Sequence, residues 1–214
     1  MSRTLRVGII DYGMGNLMSV KNALRYLGDN EATIVASPTG VESSDCVILP
    51  GVGAFGDAMK NLRARNLVKA LDEHVVKKKK TLLAICLGMQ LLMEESEEKG
   101  IHKGLGWITG RVRRFTVGDT FRVPHVGWNN IRFQDTNALF KEMKQETDFY
   151  FVHSYHVECD SARVVATCDY GYTFTAAIQQ ENVIGVQFHP EKSHHDGLLM
   201  LRNFLDLARS AAGC

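Results

Sequence analysis

The chain lacks the features that would staple it, anchor it or send it to a charged partner. Its 214 residues include five cysteines (46, 86, 159, 168 and 214), an odd number without a CxxC pair. That excludes a disulfide framework or a zinc ribbon as the organising device and predicts a reducing compartment, so a cytoplasmic protein. No secretion signal is legible, because the apolar run at residues 6–10 is short and Asp11 ends it. No apolar run approaches a membrane span; residues 82–92 form the longest, and Gly88 and Gln90 interrupt it. Charge of one sign is missing too. Lys and Arg number 25 against 24 Asp and Glu, a net +1 with no footprint for nucleic acid. The one basic run, at residues 77–80, follows a helix-like segment and reads as its solvated end, where lysines suit the negative pole of the dipole. There is no low-complexity linker and no repeat. At 45% hydrophobic and 23% charged residues the composition is that of a globular protein. One domain over residues 1–214 is expected.

What is present alternates. "LRVGIIDY", "ATIVAS", "DCVILPG" and "TLLAIC" read as strands. Between them lie helical spacings: one closing on Gly28, one from Phe55 to about Lys79, and one in "MQLLMEESEEKG" closing on Gly100. Near-continuous apolar strands alternating with helices predict a mostly parallel α/β sheet flanked by helices and buried on both faces. From about Gly104 to Gly185 short β-like runs with turns predict an antiparallel extension, with "QQEN" before "VIGVQF" as a hairpin. A last amphipathic helix is expected from about Gly197 to Ala211.

In open α/β sheets, ligands gather beyond the carboxyl ends of strands. "DYGMGN", "LPGVGAFG" and "ICLGMQ" lie at three such ends. A strand-to-helix turn at Cys86 would expose its sulfur there, and the amides opening the next helix favour a thiolate. Ala84 and Gly88 nearly match the G-x-nucleophile-x-G elbow of hydrolases. The alternative is a small buried core residue. "QFHPEKS" offers a base and its orienter. Pro190 favours an extended His189, and in extended chain Glu191 lies on the same side as His189. A loop holding both by chance is the alternative. After the third strand, "LPGVG" could turn amides toward an oxyanion. Gly51, Gly53 and Gly56 also spell a dinucleotide fingerprint. That motif follows the wrong strand, comes directly after Pro50, and lacks an acidic residue about twenty positions on. His194 and His195 after His189 suggest metal ligands, but no acid or cysteine has suitable spacing, so no metal is expected. "DYGMGN" reads as a turn and then as a partner-facing loop. His125 and Trp128 read as packing or interface residues.

Together, "LPGVGAFGDAM", "CLGMQLL", "YFVHSYH" and "GVQFHPEKS", in this order, resemble the class I (triad) glutamine amidotransferases. Within that family "IIDYGMGNLMSV" and "PHVGWN" look most like the glutaminase subunits of imidazole glycerol phosphate synthase, so the resemblance covers nearly the whole chain. It implies glutamine hydrolysis to glutamate and ammonia through a thioester on Cys86, with His189 as base and acid and Glu191 orienting it. It places the oxyanion on amides of Val52 or Gly53 and of Leu87. It places substrate contacts at Gly51, Gln90, Ser154 and Tyr155. It implies no cofactor, and a heterodimer with a (β/α)8-barrel cyclase subunit. That partner would take the ammonia to make imidazole glycerol phosphate and AICAR in histidine biosynthesis. Ala84 stands where the family usually has the first elbow glycine. A paralogous glutaminase serving another synthase, for example in surface-sugar amidination, remains open, as do an inactive scaffold and a stand-alone cysteine hydrolase. The intact Cys86, His189 and Glu191 speak against the scaffold.

Overall fold

The computed structural model describes residues 3–28 and 30–213. In its first half, strands β1 (Leu5–Ile10), β2 (Asn30–Val35), β3 (Cys46–Gly51) and β4 (Leu82–Cys86) alternate with helices α1 (Leu17–Leu27), α2 (Pro38–Ser43), α3 (Phe55–Ala64) and α4 (Leu67–Leu71). Helix α5 (Leu87–Leu91) follows β4 without a loop. The second half adds β5 (Met93–Ser96), β6 (His102–Lys103), β7 (Ile108–Arg114), β8 (His125–Phe133), β9 (Thr147–His153), β10 (Tyr155–Cys159), β11 (Val164–Asp169), β12 (Thr173–Gln180), β13 (Val183–Val186) and α6 (His194–Ala212).

Nine strands form one sheet in the order β2-β1-β3-β4-β13-β12-β11-β8-β9. Its first five strands run parallel, and from β13 onward every neighbour is antiparallel. The expected hairpin is there: β12 returns as β13 through Glu181 and Asn182. A second sheet stands apart in the order β10-β7-β5-β6.

Both faces of the parallel part are apolar because the side-chain period of a strand is two. Cys46 and Ile48 of β3, with Leu83 and Ile85 of β4, join one core, which α1 and α6 complete through Leu24, Met200 and Phe204. Val47 and Leu49, with Leu82 and Ala84, join the opposite core under α3 and α4. Every residue of β3 and β4 is buried, as a doubly covered parallel strand requires.

Four local expectations are corrected. The helix read over residues 55–79 is three pieces: α3 stops at Ala64, Asn66 takes a left-handed turn (φ 58), and α4 runs into a π-helical turn at Asp72–Lys77. Asparagine tolerates that conformation better than most residues. The helix read in "MQLLMEESEEKG" ends at Leu91, and Met93–Ser96 is strand β5. Good helix formers yield there to the ladder that β5 shares with β6 and β7. "DFYFVHSYHVEC" is two strands in different sheets, broken at Ser154. The last helix begins at His194, three residues before Gly197. Lys77, Lys78 and Lys79 are exposed, as a solvated helix end should be. Cys86, Cys159 and Cys168 are free thiols; Cys214 lies outside the described residues.

Candidate active site

Cys86 is the last residue of β4 and stands at φ 55, ψ −111, a backbone conformation that side-chain-bearing residues avoid. Two glycines make the turn sterically feasible. A Cβ at Gly88 would sit 1.9 Å from the Leu49 carbonyl oxygen, so α5 starts in contact with the backbone of β3. Gly51 pairs in register with Cys86, and a Cβ there would meet the Tyr12 hydroxyl at 2.5 Å and the Gly88 nitrogen at 2.9 Å. Strain of this kind, clamped by packing, is the pattern of a nucleophile elbow.

The neighbouring strand supplies the partners. β13 lies beside β4 with Val186 opposite Ile85, so the chain after β13 emerges next to the sulfur. Gln187 Nε2 donates to Cys86 Sγ at 3.6 Å. Phe188 packs on Phe149 in a tilted pair, 4.0 Å between ring centroids. His189 follows on the sulfur's side, its Nδ1 2.8 Å from Glu191 Oε1, with both side chains almost fully buried (2% and 1% exposed). Glu191 reaches the ring through a 3-10 turn at Pro190–Lys192 rather than through extended chain. The backbone of His189 is pinned as well: its N–H donates to Tyr150 O at 2.9 Å, and Ser193 Oγ donates to its carbonyl at 2.6 Å.

Burial by itself pushes His189 toward the neutral form, but the neighbouring Cys86 sulfur and the Glu191 carboxylate outweigh it and push His189 up to about 10. Nε2 of His189 is buried without an aligned hydrogen bond, and Glu191 Oε2 is likewise unpartnered. The sulfur is therefore close enough to act on the ring electrostatically while its hydrogen-bond acceptor is Val152 O, at 4.0 Å.

Beside Cys86 opens a cavity of about 440 Å³. Val52, Gly53, Leu87, Gln90, Ser154 and Tyr155 line it, whereas Gly51 does not and stands behind the wall against Tyr12. Gly53 has φ 99, a conformation in which glycine's freedom is required. Gln90 spends both amide protons on the protein, donating to Tyr155 O (2.9 Å) and Gln187 Oε1 (3.0 Å). Toward the cavity it can offer only its carbonyl oxygen.

Several lining residues had no sequence signal. Glu98, hidden in an acidic run, brings a carboxylate to the cavity while its Oε2 accepts the Phe55 N–H at 2.7 Å. Asn16, Pro124 and Lys192 also line it. So does His153, which heads a chain of fixed protons. His153 Nδ1 must donate to Tyr155 O (2.8 Å), so its Nε2 accepts from His125 Nδ1 (3.1 Å), whose Nε2 then accepts from Asn129 Nδ2 (3.3 Å). Burial pushes His125 down to about 4 and His153 down to about 3, consistent with this neutral relay. His194 and His195 do not join the site: His194 stacks on exposed Trp128, and His195 faces Asp196.

A family model, glutamine amidotransferase class-I, matches residues 8–207. The chain is 50% identical over 202 residues to the imidazole glycerol phosphate synthase subunit HisH 2 of Vibrio vulnificus (strain YJ016), covering 94% of each chain. It is 47% identical to the corresponding HisH subunit of Sulfurimonas denitrificans, covering 92% of this chain and 96% of that one. Among solved structures, PurLQS from Thermotoga maritima superposes with a TM-score of 0.74 at 18% identity, covering 96% of this chain and 99% of that one. A glutamine amidotransferase from Thermotoga maritima gives 0.64 at 17%, covering 99% and 85%. At those identities the structural likeness speaks to the fold alone.

Proposed function

The chain belongs to the class-I glutamine amidotransferase family, and from that premise we propose that it is the glutaminase subunit of an imidazole glycerol phosphate synthase, folded as one domain over residues 1–214. Glutamine enters the cavity beside Cys86. The sulfur attacks the side-chain amide carbon, and the oxyanion is received by the amides of Val52 or Gly53 and of Leu87. His189 holds the proton taken from the thiol and passes it to the leaving ammonia. Water then attacks the thioester with His189 again accepting its proton, and glutamate leaves. Glu191 keeps the ring's Nδ1 protonated and oriented throughout. Ser154 and Tyr155 line the substrate subsite, Gly51 backs its wall, and Gln90 meets glutamine through its carbonyl oxygen. Glu98 is the carboxylate placed to receive the α-ammonium group of an amino-acid substrate. The curated relatives are named as synthase subunits, so a partner subunit is expected to consume the ammonia. We assign that role to a (β/α)8-barrel cyclase, in the cytoplasm.

The single observation that carries this reading is the buried pair of His189 and Glu191, 2.8 Å apart, beside a cysteine held at φ 55. A scaffold that had lost its chemistry would gain nothing from retaining a strained residue and two buried titratable ones. The test uses the complex with the cyclase subunit. Cys86→Ala should lower glutamine-dependent synthesis by at least about a thousandfold while synthesis from added ammonium salt persists. Loss of both would make Cys86 a structural residue and overturn the assignment.

A further inference from the structure

We propose that Gln187 is a positioning residue for the nucleophile, its side-chain amide serving as a second, non-titrating donor to the Cys86 sulfur. The inference rests on the reading of Cys86 as the nucleophile. Gln187 follows the apolar strand "VIGV" and is fully buried (0% exposed). A primary amide in such a place is costly unless all its groups are used. Here they are used in a directed way. Tyr155 O can only accept, so it fixes the Gln90 NH2 group toward itself, and that group's second proton goes to Gln187 Oε1. With its oxygen committed to Gln90, Gln187 must turn its NH2 group to the sulfur at 3.6 Å. His153 Nδ1 donates to the same Tyr155 oxygen at 2.8 Å and so braces the start of the chain.

The arrangement differs in kind from the His189 contact. His189 must give up its proton to ammonia, and at that moment its charge no longer holds the sulfur. Gln187 cannot titrate, so its N–H remains on the sulfur through both steps. When the second tetrahedral intermediate collapses, the C–S bond breaks, the electron pair returns to sulfur, and a donor is already in place for the leaving thiolate. A hydrogen bond to the charged form of a group favours that form. His189 and Tyr12 interact electrostatically with this sulfur, and Glu98, His153 and Lys192 line the same cavity; the substitutions at Gln187 leave all five side chains in the sequence.

The experiment reads Cys86 itself in the full chain, without glutamine. Its alkylation by iodoacetamide is followed by mass spectrometry as a function of pH in wild type, Gln187→Met and Gln187→Glu. Mass spectrometry separates the peptide holding Cys86 from those holding Cys46, Cys159, Cys168 and Cys214, and burial raises the Cys159 thiol to about 11. Losing a donor to a charged group should raise the alkylation midpoint by about one pH unit in Gln187→Met, and further in Gln187→Glu. In the complex, kcat for glutamine should fall about tenfold with KM changed less than about twofold. A packing role alone would not move the thiol midpoint. Gln187→Glu keeps the acceptor for Gln90, so it tests the proposal if the methionine variant does not fold. A folded variant of either kind with the wild-type midpoint overturns the role of Gln187. Full glutaminase activity in Cys86→Ala would instead overturn the reading beneath it, so the two failures are distinguishable.

Discussion

In the parallel part of the large sheet, β3 and β4 are buried at every position, and Cys86 and Gly51 face one another where the two strands end. In the antiparallel part, β8 and β9 are buried only at alternating positions, and His125 pairs in register with His153 across them. The seam between the two parts is β13, parallel to β4 on one side and antiparallel to β12 on the other. Cys86 leaves from the parallel side of that seam and His189 from the seam itself. Each side contributes what its geometry allows. Parallel strands end together and leave backbone open to a ligand, so they carry the elbow and the glycine-rich segment. Antiparallel strands oppose side chains directly, so they carry the hydrogen-bonded imidazoles that support the cavity from behind.

The largest effect is expected where the comparison is sharpest. Gly88→Val would drive side-chain carbons into the Leu49 carbonyl, since even a Cβ falls 1.9 Å from that oxygen. Backbone must then move, and the elbow cannot form beside β3. We expect a loss of at least about 3 kcal/mol, read as failure to fold or as a steep drop in the urea midpoint. Gly185→Ala on β13 is the contrasting variant. Its Cβ would meet Met89 Cγ at 2.8 Å, Ile178 Cγ1 at 3.0 Å and Met89 Cβ at 3.2 Å, side-chain atoms rather than backbone, so a smaller loss of about 2 kcal/mol is expected. Equal losses in the two variants would mean that the elbow side of the seam is no more constrained than the hairpin side.

The same contrast governs what could be read before the structure. Uninterrupted apolar runs such as "CVILPG" announce doubly buried strands, and the motifs around Cys86 and around His189 and Glu191 carry the family resemblance, because each of these signals is local in sequence. Helix α5 was legible only at its start. Met89, Gln90, Leu91, Leu92 and Met93 are all buried, so no polar face tells a helix from a strand, and a ladder of β5 with β6 and β7 decides. Gln187 was invisible for a different reason. A glutamine beside a histidine has no spacing rule, and its meaning comes from Gln90, 97 positions away. Glu98 was hidden in the same way, since its partner is the amide of Phe55.

An intermediate effect is expected from acid. Burial holds His125 at about 4 and His153 at about 3, below an unfolded value of about 6.5. For such groups the unfolded chain binds more protons at low pH, so their contribution is complete above about 6.5 and is lost as pH falls through about 4. His189 runs in the opposite direction. Its raised value makes its contribution complete below about 6.5 and lost as pH rises toward the folded value. His74 in the parallel part is also held down, to about 4, by burial and then by nearby lysines, but it sits in a π-helical turn at the far end of the strands from the site. Hydrogen exchange near pH 4.5 should therefore show β8 and β9 losing protection before β3 and β4. Simultaneous loss would make acid unfolding a property of the whole sheet and erase the distinction between its two parts.

The smallest effect concerns a tie across the seam. Lys79 lies just before β4 and Glu181 in the turn between β12 and β13, and Lys79 Nζ reaches Glu181 Oε2 at 2.7 Å. Both side chains are largely exposed, 59% and 66%, so solvent screens the pair. Lys79→Ala should change Tm by no more than about 1 °C, and the change should vanish in about 1 M salt. Lys79 also sits at φ 54, in the left-handed region. Removing the side chain beyond Cβ leaves that strain in place, whereas glycine relieves it. Lys79→Gly should accordingly melt above Lys79→Ala by about 2 °C, although both lack the ion pair. If the alanine variant melts higher instead, the bend before β4 is held by something other than backbone preference, and the two parts of the sheet are joined there more firmly than an exposed ion pair allows.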